Sequence, residues 1–192
     1  MLSTVELLHR AQVLHGDLKP DNWLMVQSCA SSVLQTVSKA EKANYKYQAG
    51  ALSLIDFGRS IDLAYFPPGT TFIGDCHTKG FQTTEMISHR PWTKQIDTFG
   101  ICATVHCLLF GDYMDVVCRK DRHGGEHWVI KKTFKRYWDV EMWSELFDTL
   151  LNVKSCDEQP SLPLLRQRLE AFFSSSPQHE HVRTPPWFDS FE

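Results

Sequence analysis

Apolar residues recur at helical spacing near the start of the chain: Leu7, Leu8, Ala11 and Leu14 within STVELLHRAQVL, residues 3–14. Repetition at three and four residues marks one face of an amphipathic helix, and Ser3 with Glu6 has the spacing of a capping box. A helix is therefore predicted to run into residue 14. NWLMV (22–26) and LSLID (52–56) are short apolar runs of strand type. Between them residues 27–50, rich in Ser, Ala, Lys and Gln, have weak periodicity and read as an inserted surface loop. In FPPGTTF, 66–72, two prolines exclude a regular ladder. From Gln95 to Phe110 apolar side chains occupy nearly every face and Gly111 stands where a C-terminal cap belongs, which predicts a helix enclosed by protein. Residues 119–136 are polar and basic and read as a surface excursion. Two further amphipathic helices are predicted, one from Trp143, Leu146, Phe147, Leu150 and Leu151, the other from SLPLLRQRLEAFF, 161–173. The remainder, 174–192, is rich in Ser, Pro and His and is expected to be a flexible tail.

Composition narrows the class. At 192 residues and 42% hydrophobic, the chain has enough apolar material for one packed domain. A net charge of -3 gives no general electrostatic reason to seek nucleic acid or an anionic membrane, so neither is expected as a direct partner. The six cysteines form no CxxC pair, and neither a signal peptide nor an N-x-[ST] sequon occurs, which points to a reduced, intracellular protein. The longest apolar stretch, 99–111, falls short of the ~20 residues of a membrane span and fits a core helix.

Chemistry concentrates in two short runs. HGDLKPDN, 15–22, places a carboxylate (Asp17), an ammonium (Lys19) and an amide (Asn22) within six residues. IDFG, 55–58, adds a second carboxylate, Asp56. Amide and carboxylate oxygens are hard donors of the kind Mg²⁺ takes. The runs match H-x-D-L-x-x-x-N and D-F-G in order, and on them the chain resembles the C-terminal lobe of a eukaryotic protein kinase.

The resemblance implies a mostly α (α+β) fold, the large lobe of a kinase without its small lobe, over 1–173, with an activation segment at 56–85. It implies ATP and Mg²⁺ as cofactors and phosphorylation of protein Ser or Thr, since Lys two places after the Asp is the serine/threonine pattern. Asp17 would orient the acceptor hydroxyl and take its proton, Lys19 would neutralise γ-phosphate charge, and Asn22 with Asp56 would hold the metal. Thr78 would bridge Asp17 and Lys19. His15 would pack beneath Phe57, with Gly58 completing the turn. Glu85 in QTTEM would stand where A-P-E is usual, paired to Arg166 or Arg168, and Asp97 in IDTFG would cap the catalytic-loop backbone.

A narrower resemblance is to the Bub-type mitotic checkpoint serine/threonine kinases, carried by HGDLKPDNW, LSLIDFGRSIDL, FPPGTTF, GFQTTEM, PWTKQIDTFG and LPLLRQRLE. It implies a nuclear, kinetochore setting, checkpoint-protein partners and a histone tail among the substrates.

Departures matter as much. Gly16 replaces the arginine that in many kinases meets a phosphorylated activation loop, so a loop held by packing is expected instead. No G-x-G-x-x-G occurs, and VIKK at 129–132 follows D-F-G, the wrong order for the nucleotide-covering lysine. The chain is thus expected to be a fragment, inactive alone, of an active kinase; a catalytically silent scaffold is the competing reading. HGGEH, 123–127, spells a zinc signature, but two glycines oppose the helix that signature needs. KKTFKR, 131–136, reads as a solvated face.

Overall fold

The computed structural model describes residues 1–26, 51–76, 80–120, 122 and 124–175. The expected insert 27–50, Thr78 and residues 176–192 lie outside them. Five helices and three two-stranded antiparallel ribbons are found among the described residues: α1 (Leu2–Arg10), α2 (Thr84–Ile87), α3 (Gln95–Phe110), α4 (Val140–Leu151), α5 (Leu162–Ser175), and strands β1 (Val13–Leu14), β2 (Trp23–Val26), β3 (Ala51–Leu54), β4 (Ile61–Asp62), β5 (Val116–Lys120) and β6 (Glu126–Ile130). The ribbons pair β1 with β4, β2 with β3 and β5 with β6.

Helix α3 is the axis of the molecule. Every residue from Gln95 to His106 is buried, as its all-round apolarity requires. Gly111 ends it in a left-handed conformation (φ 77°) that returns its N–H to the Cys107 carbonyl, which is the predicted cap. Around α3 the side chains of Val5 (α1), Leu18, Leu146 and Leu150 (α4), and Leu162 and Leu165 (α5) form one core with Phe99, Ile101 and Cys102. Full burial of each such side chain contributes roughly 1.5–3 kcal/mol. A smaller cluster of Leu14, Met86, Trp92 and Ile96 lies under the segment after D-F-G.

One close approach fixes the catalytic loop to this axis. A Cβ on Gly100 would lie 2.6 Å from Leu18 Cβ and 2.9 Å from its carbonyl oxygen, so the glycine lets the loop backbone rest directly on the helix. Two polar side chains inside α3 are kept neutral by burial. The Cys102 thiol is pushed well above its ordinary range. Burial lowers the His106 pKa: Nδ1–H donates to the Asp112 carbonyl at 3.0 Å, while Nε2 is buried without a partner and protonation there would strand a donor.

Several expectations need correction. The helix predicted to run into residue 14 ends at Arg10, and Val13–Leu14 is a strand instead. The capping box does not form: α1 starts earlier, with Met1 at the N-cap and Ser3 already inside, and Glu6 instead meets Arg10 at 2.5 Å and Arg166 at 3.9 Å. The surface excursion over 119–136 contains much of a hairpin, β5–β6, with Cys118 opposite Trp128. Trp128 is buried, and Asn152 clamps its backbone, accepting from its N–H at 2.7 Å and donating to its carbonyl at 3.0 Å. KKTFKR is only partly a solvated face, because Phe134 packs on the core and Lys132 lies 5.6 Å from the centre of the Phe110 ring. In the HGGEH run, Glu126 and His127 are consecutive in β6 and so face opposite sides, which removes the zinc geometry. Helix α5 extends to Ser175, two residues into the expected tail. No helix among the described residues is long and apolar enough to cross a membrane.

Candidate active site

Three backbone decisions build the site. Gln12 takes a left-handed conformation (φ 59°) after α1 and turns the chain into β1, whose Leu14 lies opposite Ile61 of β4. That pairing sets HGDLKPDN beside the residues that follow D-F-G. A 3₁₀ turn, Pro20–Asn22, then feeds β2, and Ile55 N–H donates to the Asn22 carbonyl at 3.0 Å. Asn22, far from Asp56 in sequence, is thereby bonded through its own carbonyl to the residue that precedes Asp56. Asp56 itself is left-handed (φ 62°, ψ 72°), and its Oδ1 accepts from Gly58 N–H at 3.3 Å. Such a conformation costs a non-glycine residue roughly 1–2 kcal/mol, so the surroundings must hold it.

Asp97 anchors the loop from below. Fully buried at the start of α3, it accepts from His15 N–H on Oδ2 at 3.0 Å and from Gly16 N–H on Oδ1 at 2.9 Å. His9 Nε2 completes the set, 2.9 Å from Oδ2. His15, also buried, packs edge-on to Phe57 with ring centres 4.9 Å apart. Its Nε2–H donates to the Ile55 carbonyl at 3.1 Å, which leaves Nδ1 to accept from Asp17 N–H at 3.3 Å. One imidazole therefore ties D-F-G to the catalytic loop.

The candidate catalytic group sits on this base. Lys19 Nζ donates to Asp17 Oδ2 at 2.7 Å. Asn22 Nδ2 donates to the Asp17 carbonyl at 2.8 Å and lies 3.4 Å from its Oδ2. Arg59 Nη1 stands 3.6 Å from Asp17 Oδ1. Asp17 is buried, whereas Asp56, Phe57 and Gly58 are exposed. A cavity of about 390 Å³ lined by Gln12, Pro67, Thr71 and Lys94 contains none of these groups, so concavity is no guide to the chemistry here.

Glu85 differs from expectation. It is buried in the first turn of α2, below an N-cap in which Thr83 Oγ1 accepts from Met86 N–H at 3.1 Å. Its carboxylate accepts from Thr84 Oγ1 at 3.2 Å. Neither proposed arginine reaches it: Arg166 pairs with Glu6 and Glu170, and Arg168 with Glu145. Among the described residues after D-F-G, Phe66 packs on Phe72 at 5.5 Å and Phe72 on Trp92 at 5.3 Å, with Phe72 and Trp92 exchanging backbone hydrogen bonds. Sequence reasoning missed His9 and Arg59. The arginine directly after D-F-G was a visible signal; His9 had none beyond its place on α1.

A carboxylate backed by an ammonium, with an amide and a second carboxylate presented by the adjoining loop, is the equipment of a phosphotransferase. The chain belongs to the protein kinase family: the protein kinase domain matches residues 1–185. It is 38% identical over 179 residues to the mitotic checkpoint serine/threonine-protein kinase BUB1 of Arabidopsis thaliana, a match covering 93% of this chain and 34% of that protein. To the mouse (Mus musculus) protein of the same name it is 41% identical over 170 residues, covering 88% of this chain and 15% of that one. The crystal structure of the BubR1 kinase domain aligns with a TM-score of 0.73 at 37% identity, over 91% of this chain and 47% of that chain. The expected fold, a mostly helical kinase large lobe, is the observed one. The chain spans about a third or less of these two curated relatives.

Proposed function

We propose that the protein to which this chain belongs transfers the γ-phosphate of ATP to serine or threonine hydroxyls of proteins, in mitotic checkpoint signalling. The observation that carries the reading is the Asp17–Lys19 pair at 2.7 Å, held against Asn22 in one loop. Asp17 orients the acceptor hydroxyl and receives its proton as the oxygen bonds to the γ-phosphorus, whose bond to the bridging oxygen breaks to release ADP. Lys19 balances charge on the transferring group. The donor set suits Mg²⁺: Asn22 commits its Nδ2 to Asp17, which leaves the amide oxygen for a cation, and Asp56 adds a carboxylate. Bound there, the ion would neutralise phosphate charge; Asn22 and Asp56 are the residues that would hold it.

Beside these groups the β2–β3 ribbon exposes the cross-strand pair Met25 and Leu52 on one side and Leu24 on the other, and the D-F-G turn exposes Phe57, apolar surface of the kind a nucleotide base takes. Checkpoint partners, a kinetochore location and a histone tail as acceptor rest on the Bub-type resemblance.

The test uses the full-length protein with γ-labelled ATP, Mg²⁺ and protein acceptors, read by phosphoamino-acid analysis. Label on serine or threonine, lost on chelation of the metal, is expected. Partner binding with no label transferred overturns the proposal and favours a scaffold.

A further inference from the structure

Where the kinase pattern has an arginine, this chain has Gly16, and the space beside it is filled. Gly16 is left-handed (φ 77°), and a Cβ there would lie 2.7 Å from the Arg59 carbonyl oxygen and 3.8 Å from Arg59 Cβ. Both the conformation and the contact require glycine. The glycine thus admits the backbone of Arg59 against the catalytic loop, and Ser60 Oγ donates to the His15 carbonyl at 3.3 Å beside it.

Among the described residues the guanidinium so delivered meets one group on each side. Nη1 lies 3.6 Å from Asp17 Oδ1, and Nη2 donates to the Cys76 carbonyl at 2.7 Å. Asp17 Oδ2 already receives Lys19, so one oxygen of the carboxylate is hydrogen-bonded to a cation and the other has the guanidinium within ion-pair range. Cys76 is two residues before Thr78, within the segment that must lie alongside the acceptor. The side chain is about half exposed, so its ion pair adds little to stability; what it supplies is orientation. An arginine fork can hold two acceptors on different segments at once, which a point-charge ammonium cannot.

We infer that Arg59 is a positioning residue of the phosphotransfer site, joining the catalytic loop to the activation segment through a permanent guanidinium–carbonyl contact that needs no phosphate. The inference rests on the proposed kinase activity and deepens it. In many kinases the loop arginine waits for a phosphorylated partner; here the direction is reversed, with the arginine on the activation segment and the glycine on the loop.

The experiment measures kcat and KM for ATP in full-length enzyme dephosphorylated by phosphatase, for wild type, Arg59→Ala, Arg59→Lys and Asp17→Asn. Wild type is expected to stay active. Arg59→Ala should lose on the order of 10²-fold in kcat with KM for ATP unchanged, as misalignment of a reacting group does. Arg59→Lys should recover part of that loss. Should the alanine variant fail to fold, Arg59→Gln, which keeps a donor for Cys76 but loses the charge at Asp17, is read in its place with the same expected fall in kcat.

Wild-type kcat in Arg59→Ala or Arg59→Gln, while Asp17→Asn is inactive, overturns the role of Arg59 and leaves the kinase reading standing. A raised KM with unchanged kcat also overturns it, since that marks ground-state binding. Loss of wild-type activity on dephosphorylation overturns the phosphate-free contact. Full activity in Asp17→Asn overturns Asp17 as the group that Arg59 positions, and no phosphotransfer by wild type before or after phosphatase overturns the kinase reading itself.

Discussion

Replacing Asp17 by Asn lowers phosphoryl transfer by the full-length enzyme by roughly 10²–10⁴-fold, the range that loss of a positioned proton acceptor commands. The substitution is nearly isosteric, and the Asn22 bond goes to the Asp17 backbone carbonyl, which remains. The loss is therefore chemical. Lys19 and Arg59 each give up a carboxylate partner but keep access to water, being 27% and 46% exposed, so neither becomes a buried uncompensated charge. Thermal unfolding measured beside kcat should move by a few degrees at most. Activity within tenfold of wild type would show that the acceptor hydroxyl is oriented by some other group.

Asp97→Ala produces the second large effect, and it falls on stability first. One fully buried carboxylate serves three donors: the His9 imidazole, His15 N–H and Gly16 N–H. Alanine strands all three in the interior. Breaking a buried polar network of this kind costs about 3–5 kcal/mol, a large fraction of the 5–15 kcal/mol by which domains are stable. Denaturant titration of the full-length protein should show the large lobe unfolding at a much lower midpoint, and any folded fraction should be poorly active because Asp17 directly follows His15 and Gly16, the two residues whose N–H groups lose their anchor. A loss under about 1 kcal/mol would mean that water replaces the carboxylate, contrary to its burial.

What the sequence disclosed follows from how locally each feature is encoded. Helix α3 was legible end to end because a helix apolar on all faces has one stable environment, and its glycine cap is fixed by backbone conformation alone. The amphipathic α4 was legible for the same local reason, its core positions Leu146, Phe147, Leu150 and Leu151 all being buried. HGDLKPDN and IDFG carry their chemistry in runs of a few residues, so the candidate group could be named before any geometry was known.

Features that depend on distant partners were not legible. The β5–β6 hairpin hides in a basic stretch because only Trp128 is buried along β6, and its clamp, Asn152, lies 24 residues away. The Ser3–Glu6 pair had the letters of a capping box, but the helix began before it and Glu6 found cations on α1 and α5. Glu85 was given an arginine by analogy; Arg166 and Arg168 instead meet acids on α1, α4 and α5. His9 is 88 residues from the carboxylate it supports. Nothing in a linear pattern announces such a pair.

The central claim is that Asn22 and Asp56, brought together by the Ile55–Asn22 backbone bond, hold a divalent ion on a nucleotide beside Asp17 and Lys19. Paramagnetic resonance of Mn²⁺ with a non-hydrolysable ATP analogue on the full-length protein tests it most directly. The account predicts a bound-Mn²⁺ signal in the wild type that is lost from Asp56→Ala and much weakened in Asn22→Ala, both variants remaining folded. An undiminished signal in both would contradict it.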